Sequence, residues 1–311
     1  MNSPHTGLVA GYMSLQGLLP LLSADTQFRK LLTNLQRASY IAQLQIPDSA
    51  TAYVLAALWR RSRFPAVVIV PRPENARRLV DQLLLWCGED APVMQFPESE
   101  NLPFERIASD PTSTQSRLRV LGALIDSTAQ ITPPFVVSSV SAAINLTIAS
   151  DAFKQGTHTI RRGNRIRLQK IVERWTQLGY RQEPSVEVPG TSARRGGIVD
   201  IWPVGADAPS RLEFFGDEIE SVRIFDPVTQ RSSEETDQVT VIPATEVLPV
   251  VADRDRVRNL TSRLDFRNCT DDTHNRIVEE LGQIENGEFH EDLTFYASFY
   301  THGSIFDYIP E

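Results

Sequence analysis

The sequence is poor in lysine: of its 31 basic side chains only Lys30, Lys154 and Lys170 are lysines, and the rest are arginines. No lysine falls between Lys30 and Lys154, and no glycine between Gly17 and Gly88. A Walker loop needs glycines so that backbone N–H groups can wrap the phosphates, a lysine for the β and γ oxygens, and Ser or Thr for Mg²⁺. The double gap therefore excludes one from the first half of the chain. Cysteine is scarcer still. Cys87 and Cys269 are far apart with no CxxC partner, which excludes a disulfide framework or a cysteine zinc site and fits a reducing compartment. No run approaches the ~20 apolar residues that span a bilayer. No Lys or Arg precedes Arg29, so the apolar stretch 7–24 lacks the positive flank of a signal peptide. A soluble, cytoplasmic chain with no membrane partner is expected.

Recognised catalytic constellations are missing as well. The five histidines form no HExxH or HxH pair, and His290-Glu291-Asp292 and the Asp271, Asp272, His274 group read as surface clusters without metal spacing. There is no GxSxG elbow, and neither cysteine has an adjacent histidine. On its residues alone, this chain binds something rather than transforming it, and no metal site is expected.

What is present is ordinary globular composition, 41% hydrophobic and 23% charged with a net charge of −8, enough for two domains or three small ones. The first half alternates helical spacing with short β-branched runs. Helices are expected over Asp25–Gln36, Ser49–Arg61, Glu74–Trp86 and Thr114–Ile125, with strands at Tyr40–Ile46, Ala66–Val70, Val93–Phe96 and Phe135–Val137. Ala66–Val70 is continuously apolar, as in a strand covered on both faces. Strands separated by such helices point to βαβ units and a parallel sheet. In the place a P-loop would occupy stand Pro47, Asp48, Ser49 and Thr51. Pro47 removes a donor N–H, and Asp48 or Ser49 is expected to cap the next helix.

Beyond Gly156 the pattern changes. One helix, Leu168–Leu178, is followed by alternating segments at Ser185–Val188, Gly197–Trp202, Arg211–Phe215 and Glu218–Phe225, with Gly216-Asp217 as a tight turn. This reads as an antiparallel sheet with one helix, after which Arg254 to about Gly287 is helical again. Trp175 and Trp202 are expected in the core. Charge divides along the same line: Thr157–Arg211 holds ten basic residues against five acidic ones, a basic module inside an acidic chain. Such a module favours an anionic partner, nucleic acid or an acidic protein surface.

The most informative stretch reads TSARRGGIVDIWPVG over residues 191–205, then RLEFFGDEIESVRIFDP over 211–227 and VTQR to Arg231. It resembles the signature shared by the excision-repair protein UvrB and the transcription-repair coupling factor (Mfd) family. Leu102-Pro103-Phe104, Ser116-Arg117-Leu118 and Leu178-Gly179-Tyr180 resemble further family positions. UvrB keeps a working Walker lysine, whereas the N-terminal UvrB-homology module of the coupling factors has lost its ATP site. The missing lysine and glycines, and the missing tyrosine-rich DNA-gripping hairpin, make the resemblance one to the coupling factors.

That resemblance implies an α/β fold, a degenerate P-loop/RecA-like (UvrB-like) lobe in residues 1–156, an inserted α+β domain with an antiparallel sheet in 157–241, and a truncated return to the lobe in 242–311. It implies the front part of an ATP-driven DNA translocase, with no cofactor in this piece and ATP and Mg²⁺ held by motor domains elsewhere. RNA polymerase and double-stranded DNA would be met by regions beyond this sequence, and a C-terminal region of the whole protein would mask the docking surface. It implies too that the inserted domain docks UvrA through Arg195, Arg211 and Phe215, with Arg194 and Glu213 as secondary contacts. Strand alternation puts Arg211, Glu213 and Phe215 on one face and Leu212 with Phe214 on the other. The plainer readings are that Phe215 is core and Phe214 exposed, and that the arginines only pair with Asp200 or Glu213. The alternative function is a UvrB-type, ATP-dependent DNA-binding repair protein whose basic segment follows phosphates.

Overall fold

The structure is a computed structural model describing residues 14–35, 40–61, 64–99, 111–125, 132–251, 254–285 and 293–309. It divides into two compact units, Met1–Gln95 with Ser127–Val140, and Phe96–Asp126 with Ser141–Glu311. Leu102-Pro103-Phe104 and His290 lie outside the described residues.

The first unit has a three-stranded sheet, β1 (Ala66–Val70), β2 (Val93–Phe96) and β3 (Phe135–Ser139), in the order β1-β3-β2. β1 and β3 run parallel. Helices Thr26–Leu35, Thr51–Arg61 and Pro73–Cys87 supply the core around Phe28, Trp59, Leu83 and Phe135. Local chemistry sets the helix ends. The Asp25 carboxylate accepts from the Phe28 N–H at 2.8 Å, and Gly88, at φ +99°, stops the longest helix with its N–H on the Leu84 carbonyl. Three expectations need correcting. The strand buried on both faces is the central β3; β1 is an edge, with Ile69 38% exposed, so its apolar run overstated its burial. Residues 40–47 form no strand, so among the described residues no β-strand precedes the would-be phosphate loop. Asp48 and Ser49 lie within a 3₁₀ turn, Asp48–Ala50, whose cap is Pro47 and which no side chain caps; Thr51 opens the α-helix behind it. Cys87 is buried here, and burial raises its thiol pKa to about 11, so it stays protonated and unreactive at neutral pH.

In the second unit, helix Pro111–Ile125 buries Arg117 completely. Its guanidinium lies 4.3 Å over the Phe96 ring, pairs with Glu246 at 2.9 Å and donates to the Pro97 carbonyl. β4 (His158–Arg161) pairs with β11 (Gln238–Val241), so the chain between them leaves and returns at one place. That intervening chain forms a six-stranded sheet from β5 (Arg181–Gln182), β6 (Thr191–Arg195), β7 (Ile198–Trp202), β8 (Ser210–Phe215), β9 (Glu218–Phe225) and β10 (Ser232–Thr236). The order is β10-β9-β8-β7-β6-β5, antiparallel except for the short β5–β6 pair. Ser185–Val188, expected as a strand, is instead a connection that tucks Val186 into a small core with Ala193, Trp202 and Phe225. Arg254 to Glu285 is two helices rather than one, Arg254–Thr261 and Asp271–Glu285.

Helix Leu168–Gln177 buries Ile171, Val172 and Trp175. The Trp175 Nε1–H donates to His158 Nε2 at 3.2 Å. An indole nitrogen only donates, so Nε2 must be the bare nitrogen and Nδ1–H faces the Gly156 carbonyl, also at 3.2 Å. Burial, with Arg174 nearby, holds the His158 pKa below its ordinary 6.5. The unfolded chain therefore takes up a proton near pH 6.5 that the folded one refuses; the stability is complete above that pH and is lost as pH falls below it. Melting temperature is expected to drop between pH 7.5 and 5.5, and to drop less in His158→Gln. Equal drops in both proteins would contradict the assignment.

Candidate functional site

The sheet has two unlike faces. Val199, Ile201, Leu212, Ile219 and Val222 are fully buried on one of them. On that same face Arg194 Nη1 donates to the Gln169 side chain at 2.8 Å, which shows that helix Leu168–Gln177 lies over it. On the opposite face stand Arg195, Ile198, Glu213 and Phe215, with Asp200 and Arg211 one step further in. Register makes these rows. Arg195, Ile198, Glu213 and Ser221 face one another across four strands, and Ala193, Asp200, Arg211 and Arg223 form the next row. The turns Gly196-Gly197 and Gly216-Asp217 both lie at the Phe215 end. Gly196 and Gly216 take φ of +61° and +64°, where a side chain is disfavoured, so both hairpins reverse within two residues. Arg211 and Phe215 are then roughly 13 Å apart along one strand.

Phe215 is 80% exposed and Phe214 half-buried, so the reading that places Phe215 in the core fails. β8 keeps its alternation because the irregularity opposite Glu213 and Phe214 is taken up by β9. Trp175 is fully buried; Trp202 is half-buried on the small core, with its indole N–H on the Ala206 carbonyl at 2.9 Å.

The arginines differ from one another. Arg195 is exposed; one Nη2 donates to the Pro184 carbonyl at 3.1 Å, and no carboxylate pairs with it among the described residues. Arg194 is turned to the other face. Arg211 is held: its guanidinium forks onto Asp200 at 2.7 and 2.8 Å, donates to the Gln230 carbonyl and lies 4.7 Å over the Phe225 ring. The Asp200 hydrogen bond raises the Arg211 pKa further. The Arg211 side chain keeps 15% of its surface and Asp200 2%, so this is an interior ion pair rather than the surface pair the plainer reading supposed. Glu213 is half-buried and accepts from the Ser221 hydroxyl at 2.7 Å.

Sequence reasoning missed the support behind Arg211. Gln230 has a left-handed backbone at φ +59° and spans the Val186 and Pro227 carbonyls with its side-chain amide. Gln230 lies in the VTQR stretch that belongs to the resemblance, but nothing local marks it as the support of Arg211; that role depends on the chain returning beside β8.

Chemically the face offers the guanidinium of Arg195, which pairs with no carboxylate among the described residues, one bare aromatic ring, and two paired guanidiniums, Arg211 on Asp200 and Arg223 on Glu235 at 3.1 Å. That is the composition of a protein-docking hot spot. Among the described residues no three His, Cys, Asp or Glu side chains gather to hold a metal, and no helix is long and apolar enough to cross a membrane.

Residues 159–247, which contain the whole sheet, match the family model of the UvrB interaction domain. The chain is similar to a transcription-repair-coupling factor of Myxococcus xanthus, 30% identical over 226 residues, covering 71% of this chain and 19% of that protein. It is similar to that of Bacillus subtilis, 26% identical over 278 residues, covering 86% and 23%, and to that of Escherichia coli, 29% identical over 206 residues, covering 65% and 17%. The chain thus spans about a fifth of the length of the curated relatives it matches.

Proposed function

We propose that this chain, which carries a UvrB interaction domain and is related along most of its length to the transcription-repair-coupling factors, is the recruitment module of such a factor and docks UvrA through the open face of its sheet. The observation that carries the reading is Phe215, 80% exposed beside the unpaired Arg195. A large apolar ring stays in water at the tip of a well-packed sheet only at an energetic penalty, and a partner that covers it removes that penalty. Arg195 then supplies a fork for a carboxylate, while Arg211, fixed by Asp200 and the Gln230 carbonyl, keeps 15% of its side chain exposed in a set orientation. In the whole protein we place RNA polymerase, the ATP-driven motor with its Mg²⁺ and the double-stranded DNA that this motor grips, and the masking C-terminal region outside these 311 residues, in the cytoplasm.

The decayed P-loop lobe, the division at residues 156 and 241, and the inactivity of Pro47, Asp48, Ser49 and Thr51 toward nucleotide belong to the same proposal. The sequence supports it, since no glycine or lysine is available there to hold phosphates. Calorimetric titration separates this reading from the UvrB-type alternative. UvrA is expected to bind the chain saturably with or without ATP, and ATP alone to give no heat. Saturable ATP binding, or UvrA binding that requires ATP, would favour the alternative.

A further inference from the structure

The basic segment is not used up by the UvrA face, and its charges are not equivalent. Arg165 pairs with Glu218 at 2.9 Å and Arg211 with Asp200. The other eight basic side chains of the segment are exposed, and among the described residues none of them has a carboxylate within ion-pair distance; of these Arg167, Lys170 and Arg174 cluster at one helix, where Arg174 also donates to the Gln155 carbonyl at 3.4 Å. Lys170 and Arg174, four residues apart, share one side of helix Leu168–Gln177, and Arg167 is its N-cap residue with an extended backbone (φ −64°, ψ 126°); together they run as a ridge about 10 Å along the helix. Ile171, Val172 and Trp175 face inward, and Glu173, bonded to Gln169, stands off on the flank. This helix covers the sheet face opposite Arg195 and Phe215 (Arg194 bonds Gln169 there), so the ridge and the docking face look away from each other.

Two features point past simple solvation. Arg167 and Lys170 stand at the start of the helix, with no acidic residue in its first turn. Cations there oppose the helix dipole, a local conflict of the kind that marks functional surface. The second feature identifies the partner class. A protein interface is organised around a buried apolar or aromatic anchor. The exposed residues of this helix are Gln169, Lys170, Glu173, Arg174 and Gln177, all polar. Cations without an anchor suit a phosphate backbone, whose attraction needs charge and no pocket. The chain's net charge of −8 does not forbid this. At 0.1 M salt the screening length is about 10 Å, and most of the acidic surplus lies outside the basic segment.

We propose that the ridge Arg167–Lys170–Arg174 is a nucleic-acid backbone contact, weak and indifferent to sequence, which lets duplex and protein partner occupy opposite sides of the same small domain. The proposal does not rest on the UvrA assignment. Fluorescence anisotropy of a labelled duplex of arbitrary sequence tests it with the full 311-residue chain. Three phosphate contacts give a log–log salt slope of about −2.7, so affinity is expected to fall about 40-fold between 50 and 200 mM salt. The triple variant Arg167→Gln/Lys170→Gln/Arg174→Gln, shown by circular dichroism to be folded, is expected to lose the binding, and Phe215→Ala to keep it. No duplex binding at 50 mM salt, unchanged binding in the triple variant, or equal competition by polyglutamate would each overturn the proposal.

Discussion

Replacing Arg211 by alanine is expected to cost about 3 kcal/mol of folding stability, towards the low end of the range for breaking an interior ion pair. The reason is what remains behind. Asp200 is 2% exposed and takes both of its charge-assisted bonds from this guanidinium, so its carboxylate is stranded. The Gln230 carbonyl and the Phe225 ring lose their partner in the same step. Arg211→Lys is expected to recover only part of the loss, because an ammonium keeps the charge but not the fork. Urea unfolding followed by circular dichroism measures this; a loss under 1 kcal/mol, the range for surface pairs, would show the pair to be solvated. Any weakening of UvrA binding in Arg211→Ala must therefore be read beside its stability.

Phe215→Ala should behave in the opposite way. Its ring is 80% exposed, so truncation removes almost no folded-state contact and the unfolding midpoint is expected to stay where it is. A hot-spot aromatic costs ~2 kcal/mol or more when truncated, which is about 30-fold in affinity for UvrA. Arg195→Ala is expected to follow the same pattern with a comparable loss, since one bond to the Pro184 carbonyl is all it gives the fold. A variant at either position that melts early but binds normally would reverse the roles assigned to the two kinds of arginine.

How far these roles could be read from sequence depends on what fixes each of them. Glu218–Phe225 was legible to the residue, because alternation and the Gly216-Asp217 turn are local signals. So was the two-faced character of β8, which left Phe215 outside and Leu212 inside. Thr191–Arg195 escaped as a strand of its own because it carries no apolar alternation; it is a strand only because β7 pairs along its whole length. The apolar Ala66–Val70 looked central and is an edge, since strand order is decided by contacts far apart in sequence. The difference between Arg195 and Arg211 was hidden for the same reason. Both sit in similar motif contexts, but only Arg211 lies opposite Asp200 in the register, and only it receives the Gln230 carbonyl from the returning chain.

The most direct test of the central claim is the dissociation constant of UvrA with the Arg195→Ala/Phe215→Ala chain, in which Arg211 and its ion pair are left intact. A folded double variant whose affinity has fallen by 100-fold or more is the expected result, the product of two hot-spot losses. An affinity equal to that of the parent chain would mean that UvrA docks elsewhere and that the open face of the sheet is not the recruiting surface.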